Sequence, residues 1–225
     1  MIELDGVTHR YGDRTVLRDV TLTLHERRIA VVGANGSGKS TLARTLNGLV
    51  VPSEGRVRVN GHDTRTDGAA VRRDVGFVFT DPDAQIVMPT VGEDVAFSLR
   101  RSGISRQERE QRVVEVLTRF GLDAHANHPA HLLSGGQKQL LALASVLVIE
   151  PKVLVCDEPT TLLDLRNSRR VAQLLADLPQ QVVLVTHHLD LVTDYERVLV
   201  IHEGAVAHDG PAATAVPAYL RLMQT

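Results

Sequence analysis

"IAVVGANGSGKSTLARTLNGL", residues 29–49, carries the reading of the fold. Ile29 to Val32 form an uninterrupted apolar run, a Gly-rich segment follows, and an apolar-periodic helix pattern comes after it. In that setting "GANGSGKST" (33–41) fits the spacing G-x-x-x-x-G-K-[ST] of a phosphate-binding loop. Its glycines Gly33, Gly36 and Gly38 let backbone N–H groups turn toward an anion at the positive end of a helix. Lys39 is expected to reach the outer phosphates and Ser40 to offer its hydroxyl to Mg²⁺, with Asn35, Ser37 and Thr41 completing the candidate contacts.

Elsewhere in the chain, "VLVCD" (153–157) and "VVLVT" (182–186) are continuous apolar runs of the kind buried on both faces, and so predict central parallel strands. "VTLTL" (20–24) and "RVRV" (56–59) alternate instead, which predicts antiparallel strands with one wet face. The expected architecture is α/β: a mainly parallel core, a small antiparallel sheet on its N-terminal side, and an inserted helical section from about 80 to 148. In that section "SRQEREQRVVEVLTRFG" (105–121) has Ser105 and Glu108 at capping-box spacing and Gly121 as a stop. With 43% apolar residues, the 225-residue chain can bury a core as a single domain, 1–225.

Bulk properties narrow the function. A net charge of −2 removes the general electrostatic argument for nucleic-acid binding. Glu3 and Asp5 stand within five residues of the start, so no signal peptide is expected. The longest apolar run, "LLALASVLVI" (140–149), falls short of the roughly 18–20 residues that span a bilayer. The single cysteine, Cys156, excludes an internal disulfide and is expected to be a small buried hydrophobe. "HANHPAH" spaces His125, His128 and His131 by three, but Pro129 breaks any regular helix that would present them together, so a solvated loop is expected.

Two further motifs carry chemistry. Asp157 and Glu158 close a buried strand, where an open α/β sheet places its ligands; Asp157 suits Mg²⁺ and Glu158 suits polarisation of an attacking water. "LLSGGQKQLLALA" (132–144) sets Ser134 and Gln137 at capping-box spacing ahead of an apolar helix, and Gly135 and Gly136 leave its free N–H groups approachable.

With both phosphate motifs, "LSGGQ" makes the chain resemble the nucleotide-binding subunit of an ATP-binding cassette transporter from about residue 2 to residue 210. The resemblance implies a P-loop NTPase core, an N-terminal antiparallel β subdomain, an inserted helical subdomain holding the signature motif, and hydrolysis of ATP with Mg²⁺. It makes Tyr11 the aromatic that stacks on adenine, Val16 the cover of sugar and base, Asp164 of "TTLLDLRN" the acid of the dimer seam, and His187 of "VTHH" the switch histidine at the γ-phosphate. His188 has no role in it. Two subunits of this family sandwich two nucleotides, so Ser134, Gly135, Gly136 and Gln137 of one face the phosphates held by the other.

"TDPDAQIVMPTVGEDVAFSL" (80–99) departs from the wider family at Thr80, where Gln is usual, yet is similar to the ATPases of energy-coupling-factor transporters, which carry a second Gln near the position of Gln85. Thr80 and Gln85 then belong to a coupling loop, with Gln85 and Met88–Pro89 expected to face the partner. With "EPTTLLDLRN" (158–167) the likeness is greatest to the biotin-type ATPases. This implies a peripheral place on the cytoplasmic face of the membrane, a second ATPase subunit, a transmembrane coupling protein, a substrate-binding membrane protein, and no nucleic acid. A cobalt, nickel or other vitamin system is the alternative. A soluble cassette protein acting on ribosomes or DNA usually has two cassettes or long coiled-coil insertions, and a P-loop small-molecule kinase leaves "LSGGQ" and His187 unexplained.

Overall fold

Continuous apolar strands need cover on both faces, and they form the centre of a six-stranded sheet in this computed structural model, which describes residues 1–224. The chain divides into two compact units, one of residues 1–77, 152–158 and 175 onward, the other of residues 78–151 and 159–174.

The first unit begins with β1 (Ile2–Tyr11), β2 (Arg14–Leu24), β3 (Arg28–Val32), α1 (Lys39–Leu46), β4 (Glu54–Val59), β5 (His62–Asp63), α2 (Gly68–Asp74) and β6 (Val75–Val78), whose last residue belongs to the second unit. A four-stranded antiparallel sheet runs in the order β2-β1-β4-β5. Val20, Leu22 and Leu24 are buried while Thr21 and Thr23 are exposed, so the alternation read in "VTLTL" is a real two-faced strand. Its first hairpin turns over Gly12 and Asp13, which sets Arg14 opposite Tyr11.

The second unit contains α3 (Val91–Ser98), α4 (Arg106–Phe120) and α5 (Gly135–Leu147). Each starts on a side-chain cap. Thr90 with Glu93, and Ser134 with Gln137, form complete capping boxes. The box expected at Ser105 is only half made: Ser105 accepts from the Glu108 N–H, while the Glu108 carboxylate bonds Arg112 at 3.0 Å. Gly121 ends α4 in the left-handed region, φ 67°. Leu140, Leu141 and Leu143 of α5, Val91 and Val95 of α3, and Leu117 and Phe120 of α4 are buried.

The chain then forms β7 (Val153–Asp157), α6 (Leu165–Asp177), β8 (Gln181–Val185), β9 (Arg197–His202), β10 (Ala205–Gly210) and α7 (Ala212–Leu222). The larger sheet has the order β10-β9-β3-β8-β7-β6, with β3 parallel to β8 and β9, and β7 parallel to β8. The register decides the site. Val31 and Asp157 both lie beside Val185, so the segments leaving β3, β8 and β7 emerge side by side at one carboxyl edge. Cys156 is fully buried in β7, where its thiol pKa is raised by desolvation.

Candidate active site

The phosphate loop leaves β3 and enters α1 through Gly38, whose φ of 107° is left-handed. A Cβ at Gly38 would stand 2.6 Å from the Val16 carbonyl oxygen, so the loop lies too close to β2 for any side chain. Lys39 is buried, and its Nζ donates to the carbonyls of Gly33 at 2.8 Å and Ala34 at 2.9 Å. Burial lowers its pKa, and Glu158 and Asp157 oppose that shift. The ammonium thus stays beside the N–H groups that the loop would offer to a phosphate.

Asp157 is 1% exposed, and burial raises its pKa against the Ser40 hydrogen bond and the Arg44 guanidinium. Ser40 Oγ donates to Asp157 Oδ1 at 2.8 Å, and Arg44 lies 3.8 Å from Oδ2. A hydroxyl and a carboxylate are hard oxygen donors, the kind that suits Mg²⁺ better than a thiophilic ion. Glu158 has φ 54°, a left-handed conformation uncommon for a non-Gly residue, and is held there by its N–H on the Val185 carbonyl at 2.9 Å. Its Oε2 is 2.8 Å from Nδ1 of His187, so a carboxylate able to take a proton and an imidazole able to orient it meet. His188, assigned no role from the sequence, lies with its ring centroid 4.1 Å from that of His187.

Tyr11, Val16, Asn35, Gly36 and Thr41 line one cleft of about 330 Å³ with Lys39, Ser40 and Glu158. Tyr11 is half exposed, with its ring edge-to-face with His9 at 4.5 Å. An exposed aromatic with one ring neighbour leaves a face for a base.

In the second unit, Gln137 takes the Ser134 N–H on its carbonyl at 2.9 Å and sets its amide nitrogen 3.2 Å from His125 Nε2, which fixes the start of α5. Gly136 is packed against Asn167: a Cβ there would meet its amide at 2.7 Å. Asn167 also donates to Asp164 through its backbone at 2.8 Å and its side chain at 3.0 Å. The signature segment and the Asp164 segment are therefore one packed piece within this unit.

The ABC transporter family profile matches residues 17–161. This chain belongs to that family. A biotin transport ATP-binding protein of Rhizobium etli is 48% identical over 97% of each chain. Among solved structures, cbiO1 from Clostridium perfringens, described as part of the ABC transporter complex cbiONQ, superposes with a TM-score of 0.85 at 31% identity, covering 99% of this chain and 92% of that one. A dimeric ATP-binding cassette bound to ADP and phosphate gives 0.82 at 31% identity, covering 94% and 99%. An energy-coupling factor transporter ATP-binding protein of Ligilactobacillus salivarius is 36% identical, over 93% of this chain and 77% of that one. The fold is that of an ABC ATPase.

In this ABC ATPase the loop from Thr80 to Pro89 is tied to one stripe of α5. Asp83 pairs with Lys138 at 2.7 Å, Gln85 Nε2 donates to the Ala142 carbonyl at 3.3 Å, and the buried Asp94 accepts from Ser145 at 2.8 Å. Positions 138, 142 and 145 follow the helical i, i+4, i+7 spacing. Gln85 Oε1 also accepts from Phe79 N–H at 3.2 Å, so its amide braces the loop from within, while Val87 and Pro89 are exposed. Asp94 was not singled out from sequence, although T-x-x-E at Thr90 marks the helix start on which it sits. Its other oxygen accepts from the N–H groups of Val87 and Met88 at 2.8 and 3.0 Å. Asp94→Ala would leave two amides and a hydroxyl without their acceptor and should lower stability by about 3 kcal/mol in urea unfolding. Asp83→Asn, at an exposed ion pair, should lose less than about 1 kcal/mol.

Proposed function

We propose that this ABC ATPase energises vitamin uptake, biotin first, as the ATP-hydrolysing subunit of an energy-coupling-factor transporter. The observation that carries the reading is the 48% identity to a biotin transport ATP-binding protein over 97% of both chains. The Thr80–Pro89 loop, tied at its base and exposed at Val87, adds a surface for a transmembrane coupling protein that works with a substrate-binding membrane protein. Among the described residues no helix is long and apolar enough to cross a membrane. In this reading the subunit sits peripherally on the cytoplasmic face, carried by its partners.

The proposed chemistry follows from the site. The N–H groups of residues 33–41 and Lys39 hold the phosphates, Tyr11 stacks on adenine, and Val16 covers the sugar. Ser40 and Asp157 would hold Mg²⁺, which when bound neutralises charge on the phosphates. Glu158, turned by His187, takes a proton from the attacking water. Ser134, Gly135, Gly136 and Gln137 of a second ATPase subunit close over the γ-phosphate, and Asp164 lies at that seam.

Uptake of labelled biotin by cells lacking their own transporter tests the substrate. Uptake should require this ATPase expressed with its membrane partners and should stop with Glu158→Gln. Uptake of cobalt or nickel in place of biotin would favour the metal alternative. The sandwich predicts that specific ATPase activity of the isolated protein rises with concentration in the dilute range. Full turnover by a monomer at every concentration would contradict it.

A further inference from the structure

Arg14 opens β2 opposite Tyr11, across the two-residue turn Gly12–Asp13. It forms part of the wall of the same cleft of about 330 Å³, and its Nη2 lies 3.7 Å from where a Cβ on Gly36 would stand. The guanidinium therefore reaches the middle of the phosphate loop from the Tyr11 side. Other arginines nearby are engaged: Arg10 with Glu54, Arg18 with the Glu203 carbonyl, Arg44 with Asp157. Asp13 and Glu203 border an adjoining recess with Arg14, yet among the described residues the Arg14 side chain makes no ion pair or hydrogen bond. A cation left without a counter-ion at the wall of an anion cradle has a ligand to meet. Arginine suits phosphate oxygens because its planar fork donates two parallel hydrogen bonds.

We propose that Arg14 is a further nucleotide-binding residue, whose guanidinium contacts the outer phosphates of ATP. The proposal rests on the reading of this cleft as the ATP site. Lys39 holds the phosphates from the base of the loop and Arg14 from its rim, so the pair favours the triphosphate over its shorter relatives.

The test is equilibrium binding of ATP, ADP and AMP to the wild type, Arg14→Ala, Arg14→Lys and Tyr11→Ala, with melting of the nucleotide-free proteins as a folding control. Arg14→Ala should weaken ATP about tenfold, ADP less, and AMP less than about twofold, with melting unchanged. Arg14→Lys should recover part of the loss, since the charge remains but the fork does not. Tyr11→Ala should weaken all three nucleotides alike. If Arg14→Ala leaves all affinities intact while Tyr11→Ala weakens them, the assignment of Arg14 is overturned and the cleft stands. Equal losses for all three nucleotides with Arg14→Ala would place the contact on base or ribose, which also overturns it. If neither substitution changes any affinity, the cleft itself is not the ATP site.

Discussion

Glu158→Gln should lose about a hundredfold or more in kcat while keeping its affinity for ATP. The amide preserves the length and shape of the side chain, so the left-handed backbone at φ 54° and the N–H on Val185 need not change. What goes is the negative oxygen proposed to take a proton from water. The contact with His187, 2.8 Å in the wild type, can persist through the amide oxygen, so a loss in the variant reports on the missing charge rather than a displaced imidazole. Because binding survives and hydrolysis does not, the variant should accumulate as an ATP-bound closed dimer, visible by size-exclusion chromatography. Turnover near the wild-type rate would remove Glu158 from the catalytic role. Asp157→Asn separates the two acids: Asp157 is bonded to Ser40, and its loss should be felt chiefly as a raised Mg²⁺ requirement.

The parts of this protein legible in its sequence are those whose chemistry is local. A phosphate loop needs its glycines, its lysine and its hydroxyl within nine consecutive residues, and alternation in "VTLTL" needs only one strand with two faces. The cap at Ser134 is local in the same way. The Ser105 box shows the limit of such rules, because Arg112 competes one turn away for the Glu108 carboxylate. What depends on register was not legible. His187 reaches Glu158 because β7 and β8 run parallel with Asp157 beside Val185, a pairing of residues 28 apart in sequence that no motif spacing encodes. Asp94 is similar: a carboxylate on a helix face looks solvated until Ser145, Val87 and Met88 are brought around it. Arg14 lies two residues before Val16 with no motif of its own, and only the hairpin pairing sets it opposite Tyr11.

Lys39→Ala should lower ATP affinity itself, by about a hundredfold, where Glu158→Gln spares it. The lysine is 6% exposed, and it bonds two carbonyls of its own loop, Gly33 and Ala34. A buried ammonium is tolerated because those carbonyls, and the nearby charges of Asp157 and Glu158, replace the water it has lost. Removing it therefore acts twice: the loop loses the donor that ties its first residues, and the phosphates lose a positive charge in a partly desolvated cleft, where it counts for more than in bulk water. Lys39→Arg should not restore binding, because a rigid guanidinium fork needs more room than a compact ammonium at the base of the loop. Fluorescence titration with a labelled ATP analogue, repeated without Mg²⁺, separates loss of the ammonium from loss of the ion. An affinity for Lys39→Ala within about threefold of the wild type would show that the N–H groups of the loop hold the phosphates without it.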